Sequence, residues 1–379
     1  MKSMKKLVLV GLVLLASVMV LVGCDTNAGA NPKATGASGS GEFVHPEIGQ
    51  FLTFSANSPQ TLTVKVTETY TLDSTLEYSV GGEEWVKLVA DTPITFGGAA
   101  GSLSMRGKSK YGMARSQNDY AQFTFGNSGI LVTCSGDIRT LVDWVNYSVV
   151  NTQSARFCNL FMDCTNLTSA PQLPSTTLAD YCYYAMFKNC SNLIYGPEKL
   201  PALTLVEGCY SSMFDSCSKL ITTPELCATS LAKECYNSMF MMCSSLISVP
   251  DLPITDLAVN CYNCMFFGCT NLVKGPVELP ATTLEEGCYM GMFESCKNLT
   301  CAPILPATEL AKYCYYNMFK NCTSLNNVTM MANNISATDC LVKWLATVAE
   351  SGTLTIASGM GQLLREAGAI PDGWTVVEK

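Results

Sequence analysis

The apolar positions of residues 155–328 repeat with a long fixed period. Phe161, Phe187, Phe214, Phe240, Phe266, Phe293 and Phe319 are separated by 26, 27, 26, 26, 27 and 26 residues. A cysteine follows each by three, at Cys164, Cys190, Cys217, Cys243, Cys269, Cys296 and Cys322. Fixed self-similarity at this length is the signature of a solenoid. Within one repeat, Leu178, Cys182, Met186 and Cys190 lie four apart with Phe187 beside Met186, a spacing that predicts a helical segment with one apolar side. Leu193 and Leu200, bracketing Gly196-Pro197, read as a short extended run ended by Pro201. The expected fold class is an α+β repeat, a solenoid of about seven 26–27-residue repeats. One such unit cannot bury its apolar side alone, whereas stacked turns bury it continuously. Repeated letters are then core ladders, and the letters that vary carry recognition.

The 27-residue steps come from one extra residue before the Leu-Pro, in Gly196-Pro197-Glu198-Lys199-Leu200-Pro201 and Gly275-Pro276-Val277-Glu278-Leu279-Pro280. Phe187 to Phe266 and Phe214 to Phe293 both span 79 residues, so three repeats form a higher unit. The extra residue predicts a bulge at the end of the extended run.

Outside the repeats the pattern changes. Phe51-Leu52-Thr53-Phe54, Leu62-Thr63-Val64-Lys65-Val66 and Ala121-Gln122-Phe123-Thr124-Phe125 alternate as strands, and Gly81-Gly82 between Tyr78 and Trp85 is a hairpin signal. Residues 43–133 therefore read as a β-rich, sandwich-like N-terminal domain, serving either as a ligand-binding module or as a cap on the first apolar face. Asp137 to Trp144 reads as a short helix within a connector, 134–154. After the solenoid (155–328), residues 329–379 read as a C-terminal cap. Its elements are a helix containing Leu341, Trp344, Leu345 and Val348, the strand Thr353-Leu354-Thr355-Ile356 and the closing run Ile370 to Val377.

The first 23 residues have the proportions of a signal peptide, with Lys2, Lys5 and Lys6 before the apolar run Leu7 to Val22. The ending Leu21-Val22-Gly23-Cys24 resembles a bacterial lipobox. That resemblance implies cleavage before Cys24, lipidation of Cys24, and a lipid-anchored protein at the bacterial cell surface or outer envelope. An ordinary signal peptide and a membrane-spanning anchor are the alternatives. Residues 24–42 are small and polar, a flexible tether spanning on the order of 25 Å.

The net charge of −8 without a Lys/Arg stripe argues against nucleic acid as a partner. Of twenty cysteines, most occupy ladder phases, two per repeat spaced Cys-x7-Cys. Buried free thiols, disulfides between neighbouring repeats and metal binding compete as readings. Two cysteines eight apart on a helix would be about 12 Å apart, out of reach of each other. The lone Cys-x2-Cys, Cys261 and Cys264, has no second pair. His45 is the only histidine, leaving little material for a Ser-His or Cys-His pair, and no enzyme activity and no cofactor is expected. Glu198, Glu225, Asp251 and Glu278 recur at one phase; a calcium ladder and a solvated face are the two readings, and the interleaved Lys199 favours the latter.

The phrase Phe187, Cys190, Leu193, Pro201 and its later copies resemble the bacterial-surface leucine-rich-repeat family, the BspA-like or Treponema type, over about Ala155 to Val328. The step here is longer than the commoner 23-residue form, and Cys-Tyr-x-x-Met precedes the Phe. The resemblance implies a curved right-handed solenoid of short parallel strands, in a surface or secreted protein that adheres to matrix, host cells or other bacteria. It transfers no binding residues.

The residues following each ladder leucine supply a candidate face. These are Thr168 and Ser169, Ile194 and Tyr195, Ile221 and Thr222, Ile247 and Ser248, Val273 and Lys274, Thr300 and Cys301, Asn326 and Asn327. One of each pair is expected to point outward, giving the candidate column Tyr195, Thr222, Ser248, Lys274, Cys301 and Asn327. The tyrosines Tyr183, Tyr210, Tyr236, Tyr262, Tyr289 and Tyr315 form a second column, read as packing between turns. Three functions are carried forward: a monomeric surface lipoprotein binding a protein partner through the solenoid; a glycan binder using Trp85, Tyr78 and Tyr70; and a passive envelope spacer.

Overall fold

The computed structural model describes residues 50–379. The expected signal peptide, Cys24 and the tether lie outside the described residues. Residues 155–328 build the expected solenoid, each repeat forming one turn.

The segment expected to be helical is not a helix. Tyr181, Ala185 and Asn189 have φ of 57°, 48° and 62°, and the same three phases are left-handed in later turns, as at Gly208, Ser212 and Ser216 or Glu234, Ser238 and Met242. A left-handed residue at every fourth position stops helix propagation, since L-residues pay for each such conformation. Alternate amides then serve two purposes. Those of Cys182, Tyr184, Met186, Lys188 and Cys190 close local turns onto carbonyls three residues back. Those of Tyr181, Tyr183, Ala185, Phe187 and Asn189 cross to Glu207, Cys209, Ser211, Met213 and Asp215 of the next turn, at 2.8–3.0 Å. All backbone donors of the segment are thereby satisfied without helix or sheet. The fold is a β-solenoid with turn-built sides, and the α half of the expected class is corrected.

The same correction extends the stack. Residues 334–348 are not a helix but an eighth turn, left-handed at Asp339, Lys343 and Thr347. Cys340 and Trp344 take the Cys314 and Met318 phases, and their carbonyls accept from Tyr315 (3.1 Å) and Phe319 (2.9 Å). Beyond it, Asn327–Met330, Gly352–Ile356 and Trp374–Glu378 form a parallel three-stranded sheet. A helix, Gly361–Glu366, lies between the last two strands. The Trp344 indole donates to Ala369 O at 2.7 Å and that of Trp374 to Ala349 O at 2.8 Å, tying the cap to the last turn.

Inside the stack the aromatic ladders are continuous. Phe187, Phe214 and Phe240 stack at 5.5 Å between centroids with nearly parallel rings, and Tyr183, Tyr210 and Tyr236 at 5.8 Å, within the range favoured for offset aromatic pairs. Phe157 takes the tyrosine phase in the irregular first turn, stacked on Tyr183.

The N-terminal strands appear where alternation predicts them, in two sheets. One runs in the order Leu167–Ser169, Val132–Ser135, Leu52–Ser55, Leu103–Arg106, Glu77–Val80, Val86–Lys87. The other runs Ile94–Phe96, Gln60–Val66, Asp119–Phe125, Ala114–Ser116. The expected hairpin turns at Gly81 and Gly82, both with positive φ. The sheets meet through Phe54 and Phe123, 5.3 Å apart, and Phe123 touches Phe161, so the phenylalanine column starts between them. Val132–Ser135 pairs in parallel with Leu167–Ser169 of the first turn, and Phe123 N–H donates to Leu160 O at 2.8 Å. All described residues belong to one compact unit; the β-rich region covers the first turn of the stack, as a cap must. The short helix is Thr140–Asp143.

Candidate binding faces of the solenoid

The candidate column is one register. Ser169 bridges Tyr195, Lys274 bridges Cys301, Cys301 bridges Asn327, and Asn327 pairs Thr353. Tyr195, Cys301 and Asn327 are half-buried, whereas Thr222, Ser248 and Lys274 are exposed. The expected in-out alternation fails at these central turns. Ile221, Ile247 and Val273, the other members of the pairs, are 40, 63 and 43% exposed. The reason is the loose ladder there: Ile221 N–H reaches Ile194 O at 3.4 Å and Val273 N–H reaches Ile247 O at 3.5 Å. Without a regular pleat, neither residue of a pair is turned inward. The face therefore carries an apolar stripe beside a polar one.

Its borders are charged. Lys219 lies at the corner before the stripe, its Nζ 2.6 Å from Asn192 Oδ1. Beyond the stripe stand Glu198, Glu225, Asp251 and Glu278, all exposed, with Lys199 Nζ 3.5 Å from Glu225. Among the described residues no group of His, Cys, Asp and Glu is arranged to hold a metal ion. Around the extra residues Glu198 and Val277 face solvent, Val277 80% exposed, and Lys199 and Leu200 pair with Glu225 and Leu226.

The thiols of both ladders are free. In the ladder beside the phenylalanines the thiols from Cys190 onward donate to the phenylalanine carbonyl of the preceding turn, Cys190 to Phe161, Cys217 to Phe187 and Cys322 to Phe293 at 3.0 Å, and Cys164 donates to Phe123 O of the N-terminal strands. The carbonyl of the preceding turn already accepts a local turn bond and does not serve the inter-turn ladder, so a small apolar side chain with one donor suits the site. Burial pushes these thiols up, Cys269 and Cys322 to about 12. They stay protonated and unreactive. Cys264 is half-buried and pushed up to about 11, chiefly by desolvation.

The tyrosine column is core, Tyr210, Tyr236, Tyr262, Tyr289 and Tyr315 each 1% exposed. Of the three aromatics considered for a sugar platform, Tyr78 and Trp85 are half-buried. Tyr70 is 8% exposed, and Trp85 is engaged edge-on by Phe51 and by the Arg106 guanidinium, 4.1 Å from its ring.

One surface feature escaped the sequence reading. On the turn-built side, Asn260, Asn263, Glu286, Gly287, Met290, Tyr313, Tyr316 and Asp339 line a hollow of 390 Å³. Its signal was present in the left-handed phase, where Gly287 follows Asn260 and precedes Tyr313. That phase acquires meaning only once the segment is known to be turns.

No family model matches the chain, and no curated protein does. Among solved structures, a leucine-rich repeat protein from Bacteroides ovatus ATCC 8483 is similar at 16% identity over 57% of this chain and 86% of that one, with a TM-score of 0.17. A superposition this loose carries no argument about this chain.

Proposed function

We propose that the chain is a non-catalytic surface protein, lipid-anchored through Cys24, that binds a protein partner through the strand face of its leucine-rich solenoid. The observation that supports the reading is the stripe of Ile221, Ile247 and Val273, exposed beside Thr222, Ser248 and Lys274. An apolar centre rimmed by polar and charged side chains is the anatomy of a protein interface. The thiols are buried and protonated and the repeated tyrosines are packed inside, whereas this face presents residues that differ from turn to turn. Adhesion to matrix, host cells or other bacteria follows from the resemblance of the repeats.

The test immobilises residues 43–379 and offers matrix proteins, host cells and bacterial cells. Beside it runs a variant with Ile221→Ser, Ile247→Ser and Val273→Ser. Saturable binding that the variant loses, with its thermal unfolding unchanged, is the expected result. Binding that the variant retains, or no binding by the wild type, sinks the proposal.

A further inference from the structure

The 79-residue shift that relates the three-turn units carries Glu207, Gly208 and Lys233 onto Glu286, Gly287 and Lys312. The ion pair is kept, Lys Nζ to Glu Oε1 2.8 Å in both units. The tyrosines are not. In the first unit Tyr181 and Tyr184, T-shaped at 6.3 Å, stand one turn before the glycine. The Tyr181 ring lies over Gly208, and its hydroxyl donates to Glu207 at 2.8 Å, so the space is filled. In the second unit those positions are Asn260 and Asn263, and the tyrosine pair, Tyr313 and Tyr316, stands one turn after Gly287. This exchange leaves the 390 Å³ hollow.

Its lining specifies a chemistry. Tyr313 and Tyr316 meet at 84° and 5.9 Å between centroids, two apolar walls at right angles. Asn263 is 8% exposed, and its side-chain amide has one long contact, Nδ2 to Asn260 Oδ1 at 3.5 Å, although the residue lines the hollow. The remaining hydrogen-bonding capacity of this amide is open to the hollow, where a ligand hydroxyl can use it. Glu286 is neutralised by Lys312, which also lies 4.9 Å over the Tyr313 ring, so the hollow is not strongly charged. Asp339 adds an exposed carboxylate acceptor. Apolar walls, amides and a carboxylate with little net charge match the C–H face and hydroxyls of a sugar ring better than an organic cation or anion. The volume lies within the range of ligand pockets, about 300–1,000 Å³.

We propose that this hollow is a binding subsite for a neutral pyranose ring of a glycan. It lies on the turn-built side, apart from the apolar stripe, and goes beyond the protein-binding reading.

Saturation-transfer NMR tests it with the methyl glycosides of glucose, galactose, mannose, N-acetylglucosamine and N-acetylgalactosamine. At least one is expected to receive transfer from the protein. Tyr316→Ala, and Gly287→Asn, which displaces the Asn260 side chain lying over Gly287 and crowds the hollow with a residue that tolerates positive φ, are each expected to weaken that binding about tenfold, or roughly 1.4 kcal/mol. The Ile221/Ile247/Val273 triple-serine variant is expected to retain it, which separates this site from the protein-binding face. Should either hollow variant lose its fold, Asp339→Asn decides, since asparagine tolerates the left-handed φ of 51° at that exposed position; weakened binding supports the site. Transfer to no glycoside, transfer to an oligolysine peptide alone, or glycoside binding indifferent to these substitutions overturns it.

Discussion

The Cys217 thiol donates to the Phe187 carbonyl, 3.0 Å away across one turn of the stack. The contact uses an acceptor that neither the local turn nor the inter-turn amide ladder exhausts. Cys217→Ala removes the donor and a sulfur's volume from a site with 0% exposure, and is expected to destabilise by about 1–3 kcal/mol. Cys217→Ser keeps a donor and is expected to fall between the two. Urea midpoints of the three proteins measure this; a serine variant no better than alanine refutes the hydrogen-bond explanation.

Alkaline pH reads the same ladder collectively. Burial raises the thiol pKa in the folded chain, to about 12 at Cys269 and Cys322, above the ordinary value of 9.0. The unfolded chain therefore loses its thiol protons first. Stability is fully present below pH 9 and is lost as pH rises from there toward 12, at about 1.4 kcal/mol per pH unit for each thiol. Thermal unfolding is expected to be flat between pH 7 and 8 and to drop steeply above about pH 9. A midpoint that stays level up to pH 10 contradicts the protonated, buried ladder.

Lys188 reaches along the stack to Asp215, Nζ to Oδ2 2.8 Å, and the carboxylate side chain is only 2% exposed. Lys188→Met leaves that carboxylate with the Ser216 hydroxyl at 2.8 Å as its other side-chain partner. Unpairing a buried charge costs about 3–5 kcal/mol; with the lysine 37% exposed and screened, about 1–3 kcal/mol is expected. Adding Asp215→Asn is expected to recover part of the loss. Additive effects of the two changes would show that the pair is not coupled.

Ser295 has φ of 64° in the left-handed train. Ser295→Val places a β-branched side chain there and is expected to cost about 1–2 kcal/mol, whereas Ser295→Gly is expected to be near neutral. A valine variant as stable as the glycine one denies the left-handed geometry.

Much of this architecture was legible in the sequence. Phe187 and its copies gave the period, the cysteine ladders gave the buried phases, and Gly81-Gly82 gave the hairpin. The reading of Cys182, Met186 and Cys190 as helical failed because a four-residue apolar spacing belongs equally to a helix and to consecutive turns. The discriminating letters were the ones between: Asn189, Ser216, Gly268, Ser295 and Asn321 share one phase and all hold positive φ. Trp344 hid the eighth turn by replacing the ladder methionine. Exposure of Ile221 and Ile247 could not be read either, because it depends on how tightly neighbouring extended runs pair.

The alternating use of amides has a mechanical consequence. Five inter-turn bonds per segment run along the stack while the local turn bonds stay within one rung. A pull along the axis concentrates on one rung-to-rung junction at a time and leaves each rung's own turns intact. Sideways drag shears several of those bonds together. A stack of this construction yields junction by junction under tension, while each rung keeps its own turns.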